Sequence, residues 1–161
     1  MSAGESKALR DQLVTLLASS HAHADFDSAV AGFPVALAGA KPKGAEHTAW
    51  ELLEHLRIAQ WDILEFSRNA KHVSPQWPDG YWPTSGSPPS KTSWPKSVRA
   101  FRKDLKAMQD LVTDEVSDLF APFAHGSGQT LLREALLLAD HNSYHLGQLV
   151  MLRRLLGAWK G

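Results

Sequence analysis

The sequence predicts an all-α fold, a single four-helix bundle spanning residues 1–161. Three observations carry that expectation. Apolar residues recur at intervals of three and four along four separate stretches, the period of one helix face. No stretch alternates polar and apolar residues as a half-buried strand does. The one long break, Pro75 to Pro95, holds six of the nine prolines and three of the six tryptophans. Proline at that density removes helical hydrogen bonds, so this segment reads as a long crossover connection. Four amphipathic helices cover one another's apolar stripes most simply as a bundle.

The first helix is expected from about Glu5 to Ser20, on Leu9, Leu13, Val14, Leu16 and Leu17. A short helix is expected over Asp25 to Ala31, capped by Asp25 and stopped by Gly32 and Pro34. The second long helix has the clearest start. Thr48-Ala49-Trp50-Glu51 is a capping box, in which the hydroxyl accepts from the third amide and the carboxylate from the cap amide. Leu52, Leu56, Ala59, Ile63 and Phe66 continue it to about Asn69. Ser93 is expected to cap the third helix, with Pro95 in its first turn, and Val98, Phe101, Leu105, Met108 and Val112 carry it to about Val116. Pro122, Gly126 and Gly128 break the chain before the fourth, expected from Gln129 to Leu156 with Gly157 just beyond its end.

Composition narrows the function. Apolar residues are 43% and charged residues 21%, ordinary for a globular chain. Seventeen basic and seventeen acidic side chains cancel, leaving no global attraction to nucleic acid or anionic lipid. The chain has no cysteine, which excludes disulfides, thiolate nucleophiles and thiolate–metal sites, and fits a cytoplasmic location. No apolar run reaches the ~18 residues a membrane span needs, and Met1 to Arg10 has no apolar signal core.

Eight histidines remain to be explained. His141 and His145 lie four apart on the inward stripe of the fourth helix, bounded by Leu138 and Leu152. That spacing stacks two imidazoles one turn apart, as a helix offers them to a metal. Spacing alone leaves open two interior rings hydrogen-bonded to carbonyls or hydroxyls, or acid–base groups. A third ligand would come from a facing helix, and His55, beside Leu52, Leu56 and Ala59, is the best placed. His47 precedes the cap, and His21, His23, His72 and His125 read as surface or connection residues.

The segment His141-Asn142-Ser143-Tyr144-His145-Leu146-Gly147-Gln148, followed by Leu152-Arg153-Arg154 and Leu156-Gly157-Ala158-Trp159, resembles the C-terminal helix of the DinB/YfiT-like superfamily. His47 to Leu56 resembles its second-helix motif. The resemblance covers nearly the whole chain, including helix order and the long connection, of which Ser67 to Trp94 is not diagnostic. It implies an up-down-down-up four-helix bundle, often a homodimer, holding a divalent metal on three histidines that match His55, His141 and His145. It further implies an S-transferase or isomerase using a thiol such as mycothiol or bacillithiol, or a hydrolase.

An all-imidazole set with an open position suits zinc or nickel, with manganese or iron as further candidates, and resembles catalytic rather than structural sites. Glu51, one turn before His55, and Asp62, two turns after, are candidate bases or outer partners, and Gln148 a candidate orienter of His145. Trp77, Tyr81, Trp82 and Trp94 are expected to plug the open end of the bundle, and Leu138 and Leu149 to wall a pocket. Arg153 and Arg154 could meet an anionic substrate, a dimer partner or the helix dipole. Uncovered Trp50, Trp61 and Trp159 point to a homodimer. The leading reading is a thiol-dependent S-transferase acting on small electrophiles; a metal-dependent hydrolase and a non-enzymatic metal-binding stress-response protein are the alternatives.

Overall fold

The computed structural model describes residues 2–18 and 22–159. His21 and the last two residues expected in the first helix lie outside them. Five α-helices are described: α1 (Ala3–Ala18), the short α2 (Phe26–Val30), α3 (Ala49–Arg68), α4 (Ser93–Thr113) and α5 (Leu131–Leu155). No strand occurs among the described residues, only an isolated bridge between Pro122 and Thr130. None of these helices is long and apolar enough to cross a membrane.

The helix ends follow local chemistry. Asp25 accepts from the Ser28 amide at 2.8 Å and opens α2. The capping box of α3 forms in both directions, Thr48 Oγ1 accepting from Glu51 N and Glu51 Oε2 from Thr48 N. A cap of this kind is worth about 1 kcal/mol. Three ends differ from expectation. Ser93 is the first residue of α4 and does not cap it, since Thr92 holds the cap position without a side-chain hydrogen bond. Helix α4 stops at Thr113, because the buried Arg10 guanidinium donates to the carbonyls of Val112, Asp114 and Ser117 and fixes the chain leaving the helix. Helix α5 starts at Leu131, capped by Thr130, whose hydroxyl accepts from Arg133 N.

Both α1 and α3 pack against α4 and α5. Two apolar clusters fill the space between the helices. One joins Trp50 to Leu56 of α3, Trp94 to Phe101 of α4 and Leu146 to Leu152 of α5, with Phe26 and Phe33. The other joins Ile63 and Leu64, Met108 and Val112, Leu131 to Leu138, and Leu13 and Leu17 of α1. The start of α3 therefore meets the start of α4 and the end of α5. Helices α3 and α4 run the same way, α5 the opposite way, and the connection between α3 and α4 must return along the bundle. A buried polar bridge ties the three helices at mid-height. Gln60 Nε2 donates to the Phe101 carbonyl, and Asn142 Nδ2 donates to Gln60 Oε1.

Several expectations about side chains are corrected. Trp50 is buried at 4% exposure, because its helix turn faces the first cluster, so it offers nothing to a partner. Trp61 is exposed, and Trp159 is half-buried beneath the guanidinium groups of Arg153 and Arg154. Arg153 is itself buried, donating to the carbonyls of Ala29, Ala31 and Ala158; it pins α2 to the end of α5 and meets no substrate. Trp94 belongs to α4 and to the core, not to the connection. Leu138 and Leu149 are wholly buried and do not line the cavity beside Gln148 and Tyr144. The exposed apolar residues of α5 are instead Leu136, Leu137, Tyr144, Met151 and Leu155.

Candidate metal centre

His55 projects from the second turn of α3, and His141 and His145 from the middle of α5, into the space between those helices. His55 Nε2 lies 3.0 Å from His141 Nε2 and 3.1 Å from His145 Nε2. One nitrogen of each ring falls within 4.8 Å of the others, a group able to hold a metal ion. At a metal–nitrogen distance of ~2.1 Å, two ligand atoms stand about 3.0 Å apart at a right angle and about 3.4 Å apart at the tetrahedral angle.

The opposite side of two rings is committed. His55 Nδ1 donates to the Tyr81 carbonyl at 2.9 Å, and His145 Nδ1 to Gln148 Oε1 at 2.7 Å. Both acceptors are carbonyl oxygens, so the proton sits on Nδ1 and the Nε2 lone pair points at the other rings. His141 Nδ1 is buried with no hydrogen-bond partner. Burial, then the neighbouring rings His145 and His47, pushes His55 down to about 4, against the Tyr81 carbonyl that favours its proton. Burial, with His145 and His55 beside it, also brings His141 to about 4. Burial lowers His145 too, while Gln148 opposes the shift. With both Nδ1 atoms protonated, the Nε2 lone pairs of His55 and His145 face one another at 3.1 Å and repel unless a proton or a cation lies between them. The donor set thus fits a divalent metal.

The connection roofs this cluster. It leaves α3 at Asn69 and runs back beside the same helix. The Trp82 ring lies flat on His55, centroids 3.9 Å apart and planes 5° apart, and its other face stacks on His47 at 4.1 Å. Further on, Thr48 Oγ1 donates to the Gly86 carbonyl, and Ser87 closes so tightly on Gly39 that a Cβ there would stand 2.0 Å from Ser87 Oγ. The connection therefore docks along α3 and the segment before it, over the cluster rather than over an open end.

The candidate outer residues separate clearly. Gln148 orients His145 through Nδ1. Glu51 is taken up by the capping box and does not reach the cluster, an outcome the T-x-x-E pattern itself contains. Asp62 does not reach it either: its Oδ1 accepts from His72 Nε2 at 2.7 Å and its Oδ2 from the Tyr81 hydroxyl at 2.6 Å. Burial first, and the Asp62 carboxylate second, push the Tyr81 phenol up to about 12, so it remains a donor. His72, expected at the surface, has a ring only 7% exposed. His23 stays outside, bonded to Ala24 and Ser143, and His125 bonds the Phe66 carbonyl. Tyr81 and Trp82 were expected as a plug, but their register on His55 depends on the path of an irregular loop.

A cavity of about 470 Å³ adjoins the centre. Leu52, Tyr144, Met151 and Leu155 give it an apolar wall, and His47 and Gln148 bring polar groups to it. Tyr144 also packs edge-on against His145 at 4.8 Å. The size falls within the range of small-molecule pockets, about 300–1,000 Å³.

No curated protein and no solved structure matches the chain. The family model described as DinB superfamily matches residues 18–149. That span contains all three converging histidines and the whole roof above them, and on it the chain belongs to the DinB superfamily.

Proposed function

We propose that this chain holds one divalent cation, zinc or nickel, on His55, His141 and His145, and transfers a low-molecular-weight thiol to a small uncharged electrophile. The observation that carries this reading is the donor set: three imidazole nitrogens converging with no carboxylate among them, next to a cavity with one apolar wall and Glu46, His47 and Gln148 on its polar side. When bound there, the cation keeps its full charge and supplies the potential that ionises a thiol or a water near neutral pH. A hydrolase also wants a base for its water. Of the carboxylates on α3, Glu51 is engaged in the helix cap and Asp62 with Tyr81 and His72; Glu46, on the cavity wall, is the carboxylate that hydrolysis would use. The chain has no cysteine, so the sulfur arrives as cosubstrate.

In the transfer the sulfur electron pair forms a C–S bond. The bond to a leaving halide, or one C–O bond of an epoxide, breaks with its electron pair. The thiol proton goes to water or to the new alkoxide. The Tyr81 carbonyl and Gln148 Oε1 keep two rings in the tautomer that presents Nε2. Trp82 covers His55 against water, and Leu52, Tyr144 and Met151 favour an uncharged reactant. The test supplies bacillithiol, mycothiol, glutathione or coenzyme A with a haloarene or an epoxide and follows loss of thiol. Wild type is expected to conjugate with one of them, and His141→Ala to lose that activity. Ester cleavage without any thiol would make the protein a hydrolase. A metal-loaded protein that turns over nothing would make it a non-enzymatic stress-response module.

We further infer a homodimer, formed through the outer face of α5. Leu137, Tyr144 and Met151 recur there at seven-residue intervals, each exposed. A contiguous apolar face of this kind marks an interface, and a helix pairs readily with its own copy across a two-fold axis. Tyr144 and Met151 also line the cavity, so the partner would close its open side. Light scattering at micromolar concentration is expected to give twice the monomer mass, and Met151→Glu to halve it. A monomer mass for the wild type would contradict the inference.

A further inference from the structure

Asp62 is a buried carboxylate faced by a histidine and a phenol, held two turns along α3 from His55. Both of its oxygens accept hydrogen bonds, and both donors come from the connection. His72 Nε2 meets Oδ1 at 2.7 Å, and the Tyr81 hydroxyl meets Oδ2 at 2.6 Å. One side chain of α3 thus clasps the connection at two points. Between them the chain is tightly folded. Gly80 N donates to the Gln76 carbonyl, and a Cβ on Gly80 would come within 2.8 Å of Pro75 Cβ. The backbone at Tyr81 has little slack once its ring is pinned.

That backbone matters to His55. The Tyr81 carbonyl accepts the Nδ1 proton of His55 at 2.9 Å, and the next residue, Trp82, lies flat on the same ring. Tyr81 therefore joins two residues of one helix face, its phenol to Asp62 and its carbonyl to His55. The two contacts set where the imidazole sits and which nitrogen faces His141 and His145.

We propose that Asp62 is a positioning residue of the metal centre, acting through Tyr81, which it anchors so that the Tyr81 carbonyl and the Trp82 ring hold His55 in its ligating tautomer and orientation. The proposal rests on the three-histidine metal reading. It gives the buried carboxylate a task away from the reacting atoms, and it makes the connection part of the centre. Outer partners of ligating imidazoles fix ring orientation and raise basicity, and their loss typically weakens a metal site about 10–100-fold.

The experiment compares wild type, Tyr81→Phe, Asp62→Asn and the double variant. The first substitution removes only the hydroxyl and leaves the carbonyl in place. Zinc dissociation constants are read by competition with a chromogenic chelator, and the ligand field by the visible absorption of the cobalt-loaded protein. Helical circular dichroism of the metal-free forms checks the fold. Each single variant is expected to bind zinc at least about 10-fold more weakly with a shifted cobalt spectrum. The double variant should be no weaker than the worse single one, because both changes break one link. Tyr81→Phe with unaltered affinity and cobalt spectrum would overturn the proposal, as would losses that multiply in the double variant. Should Asp62→Asn fail to fold, Tyr81→Phe decides alone. A wild type that takes up neither zinc nor cobalt would instead overturn the metal reading, and this inference with it.

Discussion

Replacing His145 by alanine is expected to abolish stoichiometric uptake of a divalent cation while the metal-free protein keeps its helical circular dichroism. The ring supplies one of three convergent nitrogens, 3.1 Å from that of His55. Losing a ligand should cost more than the roughly 10–100-fold that losing an outer partner costs. The fold does not depend on the ion in the manner of a zinc finger, which is unfolded without it. Two apolar clusters lie along the bundle, and both are built from α3, α4 and α5 without any contribution from the histidines. Truncating the ring also relieves lone-pair crowding in the metal-free state. Metal content by plasma emission after dialysis, alongside far-ultraviolet dichroism, checks both halves. Stoichiometric metal in the variant would remove His145 from the site. Collapse of the helical signal on chelating the wild type would mean that the metal is structural.

Phe101→Ala is expected to have the largest effect on stability. The side chain is 1% exposed and stacks on Phe26, with ring centroids 3.7 Å apart. It belongs to the cluster that also holds the start of α3 and the end of α5. Emptying such a site costs about 3–5 kcal/mol, through lost transfer energy and the cavity left behind. For a chain of this length that corresponds to a fall of roughly 6–20 °C in Tm. A urea midpoint that falls with an unchanged slope would show the loss to be one of stability. A change below about 1 kcal/mol would mean that α2 and its phenylalanine move in to fill the space.

The helices and the convergence of the three histidines were legible in the sequence because both follow helical periodicity. The T-x-x-E box placed the start of α3, and intervals of three and four placed the core face on which His55, His141 and His145 lie. What could not be read depends on contacts between distant segments. Arg10 ends α4 from more than a hundred residues away, and no local signal at Thr113 announces it. Trp50 is buried in a cluster that joins Phe33 and α2 to the helices, and no local pattern around Trp50 shows that those segments pack there. Asp62 and Glu51 were equally plausible near His55 by helical spacing. A helix wheel shows which residues share a face, but not that a returning loop occupies one of them. The tautomer of His55 rests on a backbone carbonyl, and a carbonyl has no sequence signature.

The path of that loop has a wider consequence. Helices that run the same way oblige the chain to travel back along the bundle, here the length of α3, about 30 Å. The connection spends about two dozen residues on the journey, enough to reach about 80 Å if extended. The topology demands the return, and the surplus length is folded into the cover over His55. Ligands and cover are thereby built on different kinds of sequence. The histidines are locked into helices, where an insertion of one residue would rotate every neighbour off its face. The cover is irregular chain held in register at a few points: Tyr81 on Asp62 and His55, Trp82 on His55 and His47, and Gly86 on Thr48. Within one bundle, helical periodicity sets the three histidines while contacts between distant segments set the chain that covers them, and both meet at His55.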